Sequence, residues 1–150
     1  MNDTTATTSS PSEVDLLVDV YDDRKVRIEF RLYRLGDATR AKVTVSGSGT
    51  MEGAHALVAF LDKAVAKATA DKTSAMVFLA AVESTPIRAQ FLLGKWLIGN
   101  KQRVGQVSVV GAKAWERKLA SAVAAIANFK HIAFHETEVA GNTFLGWQTR

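Results

Sequence analysis

The stretch SAMVFLAAV, residues 74–82, constrains this chain most. It is apolar almost throughout, without the alternation of a strand that has one wet face. It is also far shorter than the ~20 residues a membrane-spanning helix needs. Such a run forms a strand covered on both faces, which belongs to a parallel sheet with helices laid over it. GQVSVVG, residues 105–111, repeats the signature.

The sequence around these strands supplies the helices. Ala54, Leu57, Val58, Leu61, Val65 and Ala68 recur at helical spacing, with Thr50 placed as an N-cap and Glu52 near the positive end of the helix dipole. TPIRAQFLLGKWLI, residues 85–98, reads as a second helix, with Thr85 as N-cap and Pro86 at the first helical position, where its missing N–H is harmless. Trp115, Leu119, Ala122, Val123 and Ile126 form a stripe expected to face the core from a third helix. FKHIAFH is a short last strand, and a closing helix from about Glu136 carries Ala140, Thr143, Phe144 and Trp147 on one face.

Ahead of the first helix the period is two. VDLLVDVYDD reads as a strand, KVRIEFRLYRL alternates with Val26, Ile28, Phe30 and Leu32 on one face, and AKVTVSGSG alternates again. The order is three strands followed by α-β-α-β-α-β-α. In 150 residues this predicts one α/β domain over 14–150, a mixed, mostly parallel β-sheet with about four helices. A Ser/Thr-rich tail over 1–13 is too polar to bury itself and is expected to be disordered.

Composition narrows the function. There are no cysteines, which removes disulfides, thiolate catalysis and cysteine-ligated metals. The net charge is +4, but the basic residues read as dispersed among acidic ones, a solvated surface rather than a nucleic-acid site. No secretory signal opens the chain and no run is long enough to cross a bilayer, so a cytoplasmic location without a membrane span is expected.

Catalytic and cofactor patterns fare poorly. Gly47, Gly49 and Gly53 sit between a strand and a helix, but their spacing is GxGxxxG rather than the GxGxxG of a dinucleotide site. His55, His131 and His135 have no acidic companions at metal-ligand spacing. No Ser–His–Asp arrangement or carboxylate pair assembles. The expectation is a protein that is not an enzyme and has no cofactor or metal.

RVGQVSVVGAKAWERKLA and FKHIAFHETEVAGNTFLGW carry a resemblance. A basic residue, a strand ending Val-Val-Gly, a Trp opening the next helix, an aromatic at the last strand, and Ala and Trp in the closing helix resemble the SpoIIAA-like family. That family has the STAS fold and is also grouped with Sec14-type lipid-binding domains. Arg103, Val109, Val110, Gly111, Trp115, Phe134, Ala140 and Trp147 match the pattern. The resemblance implies a STAS-like interaction module in bacterial signalling, akin to anti-sigma-factor antagonists. Those antagonists carry a phosphorylated serine in an Asp-Ser-Ser-Gly loop. Here VESTPIRAQ stands at that place, without the Asp and the Gly, so Ser84 and Thr85 are the candidates for a phospho-switch, with helix capping as the structural alternative.

The second helix has too many apolar faces for an ordinary surface helix. Ile87, Phe91, Gly94, Leu97 and Ile98 share one face and are expected to meet the sheet. Ala89, Leu92, Leu93 and Trp96 form another, bordered by Arg88 and Lys95. Arg88, Leu92, Leu93 and Trp96 are thus the candidate interaction or ligand surface, for a protein partner, a second copy in a homodimer, or a small apolar ligand. The first expectation is a self-associating interaction module. The alternative is a carrier or sensor with a lipid-like or other small amphiphile between the second helix and the sheet.

Overall fold

The computed structural model describes residues 12–68 and 72–147. The elements are β1 (Glu13–Asp22), β2 (Val26–Leu35), β3 (Ala38–Ser48), α1 (Met51–Lys67), β4 (Thr73–Ser84), α2 (Ile87–Asn100), a 3-10 turn (Lys101–Arg103), β5 (Val104–Val110), α3 (Ala114–Ile126), β6 (Ile132–His135) and α4 (Glu138–Leu145). The expected tail lies outside the described residues as far as residue 11, and Glu13 already opens β1.

The strands lie in the sheet in chain order, β1-β2-β3-β4-β5-β6. The first two pairings are antiparallel and the last three parallel. Three successive crossovers in one direction, each right-handed, put α1, α2 and α3 on the same face of the sheet. Burial agrees with this, because adjacent strand residues point to opposite faces. Val26, Ile28, Phe30 and Leu32 cluster with Ala41, Val43, Phe60 and Ala64 beneath α1, as the period-two pattern predicted for β2. Met76 and Val110 point the other way and cluster with Leu145 and Trp147 beneath α4. The sheet is therefore covered on both faces at β4 and β5, the two strands with continuous apolar runs.

Over β1–β3 the α4 side is mixed. Arg31 pairs with Glu13 at 2.9 Å and Asp15 at 2.7 Å, and Arg27 with Asp22 at 3.3 Å and Glu29 at 3.1 Å. Exposed pairs of this kind contribute little stability each. Val18 and Val20 are exposed beside them, while Tyr33 is buried with its ring 6.4 Å from that of Trp147.

Local details differ from expectation in three places. Phe60 was missed by the helical stripe, yet it is buried and packs 5.5 Å from Phe30, centroid to centroid. Pro86, not Thr85, is the N-cap of α2, and no side chain caps that end. The closing helix buries Gly141, Asn142 and Leu145, while Thr143 is exposed and donates to the Val139 carbonyl. The cause is Gly146, whose left-handed φ of 73° ends α4 and lets Trp147 enter the core outside the helical register.

Two glycines of the sequence reading are structural. Gly47 has φ +92°, and a Cβ there would lie 2.3 Å from the Lys25 carbonyl oxygen. Gly111 has φ +79°, and its Cβ would lie 2.7 Å from that of Ala80. Both allow a tight passage between neighbouring strand ends.

Asp23 joins the β1–β2 turn to α1. One carboxylate oxygen accepts from the Val26 amide at 2.8 Å and the Lys25 amide at 2.9 Å; the other accepts from the Thr50 hydroxyl at 2.7 Å and the Tyr21 hydroxyl at 3.0 Å. Thr50 is the N-cap of α1 as predicted, its oxygen accepting from the Gly53 amide at 3.0 Å. The Val26 amide, followed by the Thr50 hydroxyl, holds the Asp23 carboxyl well below the usual carboxylate range. A depressed folded-state pKa gives stability that is present above the unfolded value near 4 and is lost as pH falls toward the folded value. Asp23→Asn is expected to be less stable than the wild type near neutral pH, with the gap narrowing in acid; urea unfolding at about pH 7 and about pH 3 checks this.

Candidate functional site

On α2 the expected inner face is borne out at Gly94 and Leu97 and reversed at Ile87, Phe91 and Ile98. Ala89 and Gly94 are buried, and Leu93 and Leu97 point inward beside them. Ile87, Phe91 and Ile98 face outward, at 60%, 60% and 51% exposure. On a helical wheel Ala89, Leu93 and Leu97 advance together, and the helix has turned that row to the sheet. The same inversion occurs on α3. The expected stripe of Trp115 and Ile126 is exposed, and the inward row is Glu116, Ala120 and Ala124. Alanines and Gly94 thus take much of the inner faces, beside Leu93 and Leu97, while Ile87, Phe91, Ile98, Trp115 and Ile126 stand outside.

Polar contacts accompany this orientation. Trp96 Nε1 donates to Asp62 Oδ1 at 2.8 Å and ties α2 to α1. Asn100 donates to the Trp96 carbonyl at 2.9 Å one turn on. On α3, Glu116 Oε1 accepts from the Lys113 amide at 2.9 Å, the return half of a capping box. That bond pulls the first turn of α3 inward and turns Trp115 out. Lys113 in turn donates through Nζ to the Val82 carbonyl at the end of β4.

The consequence is a cavity of about 230 Å³ between the helical layer and the sheet. Val45, Val77, Val109 and Ile132 form its floor. Ala89, Leu93, Gly94 and Leu97 of α2 form its roof, and Ala54, Leu57, Ala120 and Ala124 close the sides. No side chain from the roof is long enough to fill the gap that the backbones leave. The space opens to solvent, so water reaches it when no ligand is bound.

Polar groups gather at one end. Thr85 precedes α2, Gln90 lies in its first turn, and Glu116 lies in the first turn of α3. All three are at the carboxyl ends of the parallel strands, where open α/β sheets characteristically bind ligands.

The candidate residues of the sequence reading fall into separate places. Leu93 lines the cavity, and Arg88 is exposed. Leu92 is half-buried, as is Trp96, which is committed to Asp62 rather than left open. Ser84 is exposed at the end of β4, its carbonyl accepting from the Gly49 amide at 2.8 Å, while Thr85 is half-buried on the cavity wall. The sequence reading missed Glu116. Its signal was a carboxylate at the third position of a helix, in register with alanines.

The charge pattern is also corrected. Acidic and basic residues interleave only in the first half of the chain. Between Glu83 and Glu136, Arg88, Lys95, Lys101, Arg103, Lys113, Arg117, Lys118 and Lys130 are accompanied by one acidic residue, Glu116, which is buried. The exterior of α2 and α3 is therefore apolar and cationic. Of the histidines, His135 Nδ1 bonds Ser108 Oγ at 2.7 Å, His131 meets the Phe129 ring edge-on at 5.9 Å, and His55 is exposed. Among the described residues no group of histidines and carboxylates could hold a metal ion, and no helix is long and apolar enough to cross a membrane.

Small-to-large changes in a filled core usually cost about 1–3 kcal/mol. Ala120→Leu is expected to cost nothing or to raise the melting temperature, because the added carbons enter the cavity. Thermal unfolding followed by circular dichroism checks this, and a loss of several degrees would show the space to be filled already.

No protein-family model matches the sequence, and no curated protein matches it. Solved structures do. An uncharacterized protein of the DUF3478 family with a SpoIIAA-like fold, from Shewanella loihica PV-4, superposes with a TM-score of 0.57 at 13% identity, covering 95% of this chain and 99% of that one. The anti-sigma factor antagonist SpoIIAA in its unphosphorylated form superposes with a TM-score of 0.56 at 10% identity, covering 80% of this chain and 99% of that one. The six-stranded mixed sheet, the helical layer and the α4 cover together are a SpoIIAA-like, STAS-type fold.

Proposed function

We propose that this protein is a non-enzymatic, STAS-type regulatory module whose input is a small, largely apolar ligand held between α2 and the sheet. The cavity of about 230 Å³ beneath Leu93 and Leu97 carries this reading. A pure interaction module has no need of such a space, whereas a sensor or carrier does. For scale, an engineered cavity of about 150 Å³ lined by apolar side chains binds benzene. The ligand touches the roof helix, so its binding bears on the helix that also carries the exposed Ile87, Phe91 and Ile98.

Naphthalene, which has no polar group, tests the reading without any assumption about a head group. At a hundredfold excess over its Kd it is expected to raise the melting temperature by on the order of 5–10 °C. Leu93→Trp, which fills the cavity, is expected to abolish that rise. A wild type that naphthalene does not stabilise, and that shows no co-purified small molecule by native mass spectrometry, would overturn the proposal.

A second reading concerns the outer face of α2. Phe91 and Ile98, flanked by Arg88 and Lys95, form an apolar, cationic surface suited to a protein partner with acidic groups or to a second copy of the chain. It replaces Trp96 as the centre of the proposed interaction surface. Ser84, the exposed one of the two hydroxyl residues, is then the site at which a phosphate would add negative charge beside the first turn of α2. Phe91→Asp is expected to leave thermal stability nearly unchanged and to convert a dimer to a monomer in size-exclusion chromatography with light scattering. A wild type that stays monomeric at all concentrations would eliminate self-association.

A further inference from the structure

The cavity wall is apolar except at one end, and the chemistry of that end specifies the ligand further. We propose that the cavity selects amphiphiles whose head donates hydrogen bonds, an alcohol or an amine on a short hydrocarbon, and rejects carboxylic acids. This inference rests on the cavity-binding reading and adds the head-group class to it.

Glu116 is the one ionisable residue in the wall, and it is 3% exposed. A carboxylate offers about four acceptor positions. Among the described residues its recorded hydrogen bond is the one from the Lys113 amide, at Oε1. Acceptor capacity therefore remains at Oε2, at the edge of an apolar space. A hydroxyl or ammonium head would supply the missing donor. A carboxylate head would place a second negative charge beside the first, and like charges at close range repel.

Thr85 and Gln90 stand at the same end and add neutral partners for the head. Their hydroxyl and amide can donate as well as accept, so they do not discriminate by themselves; Glu116 does. The first-turn amides of α2 lack a side-chain cap and would favour an anion. That attraction opposes the proposal and is weaker than close repulsion between two carboxylates. The nearest named cation, Lys113, is occupied by the Val82 carbonyl.

Size follows from volume. At roughly 30 Å³ for each small group, the share of a water in the liquid, a cavity of about 230 Å³ accepts on the order of eight non-hydrogen atoms. The head lies toward Thr85, Gln90 and Glu116, and the hydrocarbon runs toward Leu97 and Ile132.

1-Octanol, octylamine and octanoate share a chain and differ in the head. Titration calorimetry on the full chain near neutral pH is expected to show octanol and octylamine each binding about tenfold or more tightly than octanoate. Glu116→Gln keeps an oxygen for the Lys113 amide and removes the charge. In that variant octylamine is expected to lose about tenfold and octanoate to gain, while octanol changes little. Octanoate binding as tightly as either partner in the wild type would overturn the head-group inference. So would an unchanged ranking in Glu116→Gln. The wild-type ranking decides the matter if the variant does not fold. If naphthalene stabilises the protein but the three heads are not distinguished, the head-group class fails and the cavity reading stands. If neither naphthalene nor any of the three binds, the cavity reading itself fails.

Discussion

Small side chains on the inner faces of α2 and α3 leave a space between the helical layer and the sheet. Ala89, Gly94, Ala120 and Ala124 cannot span the distance that the backbones keep, and Leu93 and Leu97 fill only part of it. Protein interiors are normally packed to crystal density, so a gap of this size is a departure that the rest of the molecule must support. The support comes from hydrogen bonds. Trp96 to Asp62 ties α2 to α1, and Glu116 to Lys113 closes the first turn of α3. Ile87, Phe91, Trp115 and Ile126 stand on the exterior.

That arrangement links an interior feature to an exterior one. The roof of the cavity and the apolar, cationic outer surface are two sides of one helix. A ligand that adjusts the height or tilt of α2 acts on Ile87, Phe91 and Ile98 without touching them. The thermodynamic requirement is a ligand affinity that differs between the two positions of the helix. The far side of the sheet is insulated from this, because α4, Met76, Val110 and Trp147 form a separate packed cluster.

The order of strands and helices along the chain was legible in the sequence, and the reason is local. Continuous apolar runs at 74–82 and 105–111 have few alternatives to doubly covered strands, and the alternation of Val26, Ile28, Phe30 and Leu32 fixes a half-buried one. The N-cap Thr50 was equally readable, since capping depends on a few neighbouring residues. Phe60 was missed because helical periodicity ranks positions by spacing, whereas its burial comes from Phe30 across the interface. The charge pattern was misread because acids and bases were counted along the whole chain. The segment between Glu83 and Glu136 has a different balance.

The sequence by itself determined the elements, their order, and the sheet with helices on it, because periodicity and capping are properties of neighbouring residues. It also marked α2 as apolar on more than one side. Only the tertiary structure decided which side faces inward. Hydrophobicity alone favours burying Ile87, Phe91, Trp115 and Ile126, yet the structure leaves them exposed and turns Ala89, Leu93, Ala120 and Ala124 inward. The rotation of a helix about its axis is set by contacts between elements, and those contacts do not exist until the sheet has brought α1, α2 and α3 together.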